Sequence, residues 1–376
     1  MSKRIFFFVK SYFRERQWDT VKNVPEGYEA FYLQKERLQG SVKNVKKAKS
    51  FLGQLKVKFS LRVPLLNTKQ VPSIANKCDF IYTWGYLPFR AKKPFVIEMD
   101  NPYCLTYYNP KAFRIYKKFL EKFLEKAYKL TFMSEASMHH FLHEFDGKFK
   151  EKSLVFYPFS ERRDTKIMEK KGKEINFLFI GLTFRNKGGL ELLSAFTDVL
   201  LPNIRLYVIS FVPENIKQKF QKDKRIIFLD PMPRDKLLSK VYPQMDVFIL
   251  PTLYESFGVV LLESLSFGLG LIATNVYAVP EMLYDGENGI LLHHPFLKPE
   301  SYYGKSIVNP VEFHLHDFNN LYLKEDFFYY SLYAELKEAI KQATEEHNKW
   351  RKRSIEIYKE KFSTDVWHRR FREIFS

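Results

Sequence analysis

Cysteine is nearly absent: only 2 occur among 376 residues. Cys78 and Cys104 allow one bridge at most and no thiolate zinc site, so a reducing compartment is the expectation. Long apolar runs are absent as well. No segment approaches eighteen uninterrupted apolar residues, which excludes a spanning helix, and the apolar core of Met1 to Lys10 is too short for a signal peptide. That opening stretch reads instead as a first buried strand. Glycine is scarce at 15 residues, and the loop that follows, Val9-Lys10-Ser11-Tyr12-Phe13-Arg14, contains none. Asp-x-Asp metal motifs, zinc-finger spacings and RNP-like sheet motifs are missing, so nothing supports a nucleic-acid partner. His293, His294, His314 and His316 cluster late in the chain, but their spacing does not define a metal centre, and none is expected.

What is abundant is aromatic and basic. Phe (37) and Tyr (23) supply large rings for cores, and hydrophobic residues reach 45%. The formal net charge of +18 is concentrated between Lys35 and Arg62, where nine basic residues face one acid, Glu36, and where Phe51, Leu52, Leu55, Val57 and Phe59 interrupt the charge. Such a stretch suits an anionic membrane surface; a solvated basic face or an anionic acceptor are the competing readings.

Short apolar runs alternate with longer amphipathic ones, which predicts an α/β protein with parallel sheets. Strands are expected over 5–9, 80–83, 95–98, 130–133 and 154–157, then over 175–180, 206–210, 226–229, 246–250, 271–274 and 290–292. Helices are expected over 113–129, 189–200 and 331–345, and Asp235 is a candidate cap for a further one. The length suits two Rossmann-like domains, over 1–165 and 166–350, with a cleft between them and a closing helix over 351–376 that packs on the first.

The stretch Pro251-Thr252-Leu253-Tyr254-Glu255-Ser256-Phe257-Gly258-Val259-Val260-Leu261-Leu262-Glu263 carries the chemistry. Pro251 stops a fully apolar strand, and a helix opening near Ser256 would lie at the carboxyl end of that strand, where open α/β folds keep their ligands. Eight helical residues rise about 12 Å, too far for Glu255 and Glu263 to flank one bond as hydrolase carboxylates do. They suit the two ends of an elongated ligand, with an anion at the helix start between them. A nucleotide diphosphate sugar has that layout; a solvated Glu263 and an incidental Glu255 are the plain alternative.

This segment, with Ala273-Thr274-Asn275, Val279-Pro280-Glu281 and Asp285-Gly286-Glu287-Asn288-Gly289 downstream and Phe179-Ile180-Gly181 and Arg185-Asn186-Lys187-Gly188-Gly189 upstream, resembles the retaining GT-B glycosyltransferases of family 4, the glycosyl transferases group 1. The likeness is specific over about 175–292, and the first half matches only in architecture. It implies a UDP- or GDP-sugar donor, no required cofactor, and transfer of a hexose to a glycan or lipid-linked acceptor in cell-surface polysaccharide or glycolipid synthesis, with metal dependence left open. The setting implied is cytoplasmic, peripheral on the inner face of the membrane.

By the same resemblance, Glu255 contacts the transferred sugar, Glu263 the ribose, and Lys187 the diphosphate. Gly181, Ser256, Phe257, Gly258 and Val259 line the sugar phosphate. Leu182 stands where many members have arginine, so Arg185 is the candidate for that charge. Asp100, after a strand of the first half, is a candidate to orient the acceptor hydroxyl or to cap a local turn, and Trp84, Tyr86 and Tyr103 are candidates for stacking on sugar or for the core. An epimerase on the same architecture and a noncatalytic carbohydrate- or membrane-binding scaffold are the rival functions.

Overall fold

The structure, a computed structural model, describes residues 2–9, 13–33, 64–161, 174–295, 302–303, 306–307 and 328–376. The basic stretch 35–62, His314 and His316 lie outside the described residues. The chain divides into two units, Met1–Phe159 with Thr364–Ser376, and Ser160–Ser363.

In the first unit β1 (Lys3–Phe8), β2 (Tyr28–Phe31), β4 (Phe80–Trp84), β6 (Phe95–Met99), β7 (Lys129–Phe132) and β8 (Ser153–Val155) form a parallel sheet in the order β2-β1-β4-β6-β7-β8. A small pair, β3 (Thr68–Gln70) with β5 (Leu87–Phe89), stands apart from it. Helices Glu15–Lys22, Pro110–Leu124 and Glu135–Glu144 join the strands. β6 is buried along its whole length, as a strand covered on both faces must be. The edge strand β2, half-exposed in alternation, was not expected from the sequence because its apolar run is too short and mixed to stand out.

The second unit has β9 (Ile175–Ile180), β10 (Ile204–Ile209), β11 (Ile226–Leu229), β12 (Val247–Leu250), β13 (Gly270–Thr274) and β14 (Gly289–Leu292), parallel in the order β11-β10-β9-β12-β13-β14. This is the doubly wound order in which the chain starts at the middle and winds outward both ways. Helix Val259–Ser266 begins three residues later than the sequence suggested, because Gly258 takes a left-handed conformation (φ 83°) and delays it. Asp235 lies inside the first helical turn after β11 rather than capping it; the cap position is Pro233.

A 32-residue helix, Tyr330–Lys361, stays with the second unit. Its Trp350 packs on Gly270, its Ser354 hydroxyl donates to the Leu269 carbonyl at 2.7 Å, and Arg351 pairs with the buried Asp246 at 3.2 Å. Only from Thr364 does the chain return to the first unit, where helix Thr364–Ile374 inserts Trp367, Phe371 and Ile374 into the core with Ile5, Phe7, Tyr82 and Phe156. The sequence placed this return at 351. The helix runs on to Lys361 because Ile357 and Tyr358 are buried in the second unit, with the Tyr358 hydroxyl on the Ser160 carbonyl.

Candidate active site

β9 and β12 are sheet neighbours, yet the chain leaves β9 toward β10 and β12 toward β13. At such a reversal the loops beyond the strand ends diverge and leave a crevice for a ligand. The loop after β9 carries Gly181, Arg185 and Lys187, and the loop after β12 carries Glu255 and Ser256. Lys187 Nζ donates to Glu255 Oε2 at 2.8 Å and to the Tyr254 carbonyl at 2.9 Å. The two side chains keep 19% and 17% exposure, so the pair is sheltered but within reach of a solute.

Close packing explains the glycines of these loops. A Cβ on Gly181 would lie 2.8 Å from the Lys187 stem, so its absence lets the lysine fold back across the strand end. Gly188 has φ 68°, and a Cβ there would meet the Pro251 carbonyl oxygen at 2.2 Å. Backbone bonds then tie the loops together, with the Leu253 N–H donating to the Asn186 carbonyl at 3.1 Å. A third brace comes from His294, beyond β14, whose Nε2 lies 3.0 Å from the Leu253 carbonyl. A carbonyl can only accept, so Nε2 carries the proton, and burial lowers the imidazole pKa to about 4. His294 is therefore a neutral strut for the Glu255 loop. Its place beside Leu253 has no signal in the sequence, where it reads only as one of a late histidine group.

Glu255 Oε1 accepts the Ser256 N–H at 3.1 Å, which fixes the carboxylate at the turn. Phe257 is buried, and Gly258 and Val259 open the helix, whose earliest internal bond runs from the Leu261 N–H to the Gly258 carbonyl at 2.8 Å. Arg185 lies near the buried Glu191, whose carboxylate also accepts the Tyr329 N–H at 3.2 Å; burial raises the pKa of Glu191. Leu182, on the same loop, is half-exposed.

Glu263 is no solvated helix residue. It is 3% exposed; Arg234 Nε donates to one carboxylate oxygen and the Tyr242 hydroxyl to the other at 2.9 Å. Tyr242 itself stacks on Phe267, and burial first, then the neighbouring carboxylate, raises its pKa well above that of a free phenol. The sequence reading missed Arg234 and Tyr242. The usable signal was the apolar run Val259–Leu262 immediately before Glu263, since a buried carboxylate requires partners.

Asp100 belongs to the other unit, at the carboxyl end of β6. Its Oδ2 accepts from the Tyr108 hydroxyl at 2.8 Å and its Oδ1 from the Asn101 N–H at 3.0 Å, while burial raises its pKa. Beside it Glu98 accepts from Arg16 and from the Tyr82 hydroxyl at 2.6 Å. Trp84, Tyr86 and Tyr103 are core residues, not stacking surfaces. They are 8%, 2% and 3% exposed, and the Tyr86 hydroxyl is bound to the Phe8 carbonyl. The rings that do reach solvent here are Tyr107 and Tyr108, both with left-handed backbone. Among the described residues no cluster of His, Cys, Asp or Glu could hold a metal ion, and both cysteines are free and buried.

Two units built on doubly wound parallel sheets define this as a GT-B fold. Residues 174–301 match the family model described as Glycosyl transferases group 1. Among curated proteins, the alpha-maltose-1-phosphate synthase of Mycolicibacterium smegmatis is 24% identical over 163 residues, 40% of this chain and 42% of that protein. The D-inositol 3-phosphate glycosyltransferase of Corynebacterium efficiens is 33% identical over 134 residues, 32% of this chain and 31% of its own. The chain thus spans less than half the length of these relatives.

Among solved structures, HepE from Anabaena in complex with UDP and glucose superposes with a TM-score of 0.60 at 13% identity, over 100% of this chain and 99% of that one. The lipopolysaccharide outer core galactosyltransferase WaaB does so with a TM-score of 0.57 at 13% identity, over 100% and 99%. At such identity the likeness is one of fold.

Proposed function

We propose that the protein is a retaining glycosyltransferase that moves a hexose from a UDP- or GDP-sugar to a hydroxyl of a glycan or lipid-linked acceptor. The observation that carries this reading is the sheltered Lys187–Glu255 pair at the strand-order reversal of the second unit. HepE, with its bound UDP and glucose, lends the same fold to a nucleotide and a sugar. The diphosphate of the donor draws Lys187 to itself and releases Glu255 to accept from sugar hydroxyls. Glu263, held by Arg234 and Tyr242, marks the ribose end.

In the reaction the bond from the sugar C1 to the phosphate oxygen breaks and its electron pair leaves with the nucleotide. The acceptor oxygen bonds to C1 on the same face, and its proton passes to the departing phosphate. Lys187, Arg185 and the N–H groups around Gly258 and Val259 stabilise the charge as it develops, which is where such groups lower a barrier. Glu255 positions the donor and forms no ester with it; Asp100 orients the acceptor hydroxyl. Lys187 and Arg185 supply positive charge at the diphosphate from the protein itself.

Cell-surface polysaccharide or glycolipid assembly on the inner face of a membrane is the setting we propose, with the basic stretch 35–62 as one contact to anionic lipid. No described helix is long and apolar enough to cross a membrane. The test is a panel of nucleotide sugars with candidate acceptors, reading nucleotide release, product mass and anomeric configuration. Acceptor-dependent release with retention is expected. Product that stays attached to nucleotide, or no release across the panel, would contradict it.

A further inference from the structure

The Pro110–Leu124 helix of the first unit turns an unusual face to solvent. Lys111, Arg114, Ile115, Lys118, Phe119 and Lys122 are all exposed, Ile115 by 65% and Phe119 by 46%. At 3.6 residues per turn these six fall within an arc of about 140°. The opposite side, Ala112, Phe113, Leu120 and Leu124, is buried and anchors the helix to its unit. Four cations thus border an apolar ridge one turn long. Of the nearby acids, Glu121 and Glu125 share Lys148 at 2.6 Å, which cancels one of their two charges and leaves the four cations of the face in excess.

We infer that this face is a docking surface for an anionic lipid bilayer, an inference that rests on the membrane setting proposed above and gives it a second, structured contact. The charge decides the occupant. A protein groove would demand a longer apolar stripe than Ile115 and Phe119 supply, and a polyanionic glycan would leave that ridge wet. An anionic bilayer takes both: the two apolar side chains enter the boundary between headgroups and acyl chains while Lys and Arg stems extend their charges to the lipid phosphates.

The test is cosedimentation of the full chain with vesicles of phosphatidylglycerol mixed with phosphatidylcholine, against phosphatidylcholine alone, over a salt series. Two helix variants, Ile115→Ser with Phe119→Ser and Lys118→Glu with Lys122→Glu, are compared with a third in which the lysines of 35–62 are replaced by glutamine. The parent should bind only the anionic vesicles, less as salt rises, and each helix variant should lose about tenfold or more in partition while melting like the parent. Helix variants that bind as the parent does, with loss only in the third, would overturn the helix and leave the membrane setting intact. Absence of binding by the parent would overturn both. Stronger binding to an acidic polysaccharide, insensitive to the Ile115 and Phe119 changes, would assign the face to a glycan instead.

Discussion

In the proposed reaction Lys187 changes partners, so its environment has to hold the ammonium without trapping it. One carboxylate and one carbonyl do so, and the diphosphate of a donor offers a stronger pair of acceptors. Lys187→Ala should lower kcat by about a hundredfold or more while the unfolding midpoint moves little; equal turnover would remove the residue from the chemistry. Glu263 depends on its partners in a different way. Tyr242→Phe leaves a buried carboxylate with one donor fewer, and a loss of about 1–3 kcal/mol in urea unfolding is expected, with weaker nucleotide binding. An unchanged midpoint would show that water or a rearranged Arg234 fills the gap.

Two buried histidines contribute to the acid limb of stability. Burial lowers His294 to about 4 and His140 to about 3, whereas in the unfolded chain both return to about 6.5. Below that value the unfolded state takes up more protons, so stability falls as pH drops from about 6.5 toward 4. His294→Gln keeps an N–H for the Leu253 carbonyl but cannot titrate. Its unfolding free energy should fall less steeply over that range than the parent's, and an identical slope would contradict the assignment.

At the scale of elements, what the sequence made legible followed from burial. β9, β12 and β13 are runs of apolar residues because both faces of the sheet are covered, and such runs are visible without coordinates. The Lys187 and Glu255 loops were legible because a stop at Pro251 and glycines at 181, 188 and 258 punctuate them. Side-chain partnerships were not. Arg234 and Glu263 are 29 positions apart, and His294 reaches Leu253 from beyond another strand; local pattern carries no trace of either. Trp84, Tyr86 and Tyr103 stayed open between core and ligand in the sequence for the same reason, since a ring bound for the core and a ring bound for a ligand look alike in one dimension; burial places them in the core. The turn between β9 and its helix gives a direct check. Gly188→Ala places a methyl group against the Pro251 carbonyl in a left-handed residue, and a loss of about 2 kcal/mol or more in unfolding free energy is expected. A variant as stable as the parent would mean that the two loops are not held as described.

For the whole molecule, the chain order and the unit order differ. The last residues, Thr364–Ser376, complete the first unit, where Trp367, Phe371 and Phe375 fill a core shared with Ile5, Tyr82 and Phe156. Truncation before Thr364 should leave the second unit folded and the first unit open to proteolysis, read as rapid cleavage within residues 64–159. The proposed glycosyl transfer, in turn, rests on a single local claim: that the cationic loop after β9 holds the diphosphate of a nucleotide sugar. Titration calorimetry of UDP and of GDP into the parent and into Lys187→Ala tests it most directly. The account predicts that one of the two binds the parent and that the variant binds it at least about tenfold more weakly, a difference of about 1.4 kcal/mol. Equal affinity in parent and variant, or no binding of either nucleotide to the parent, would contradict it.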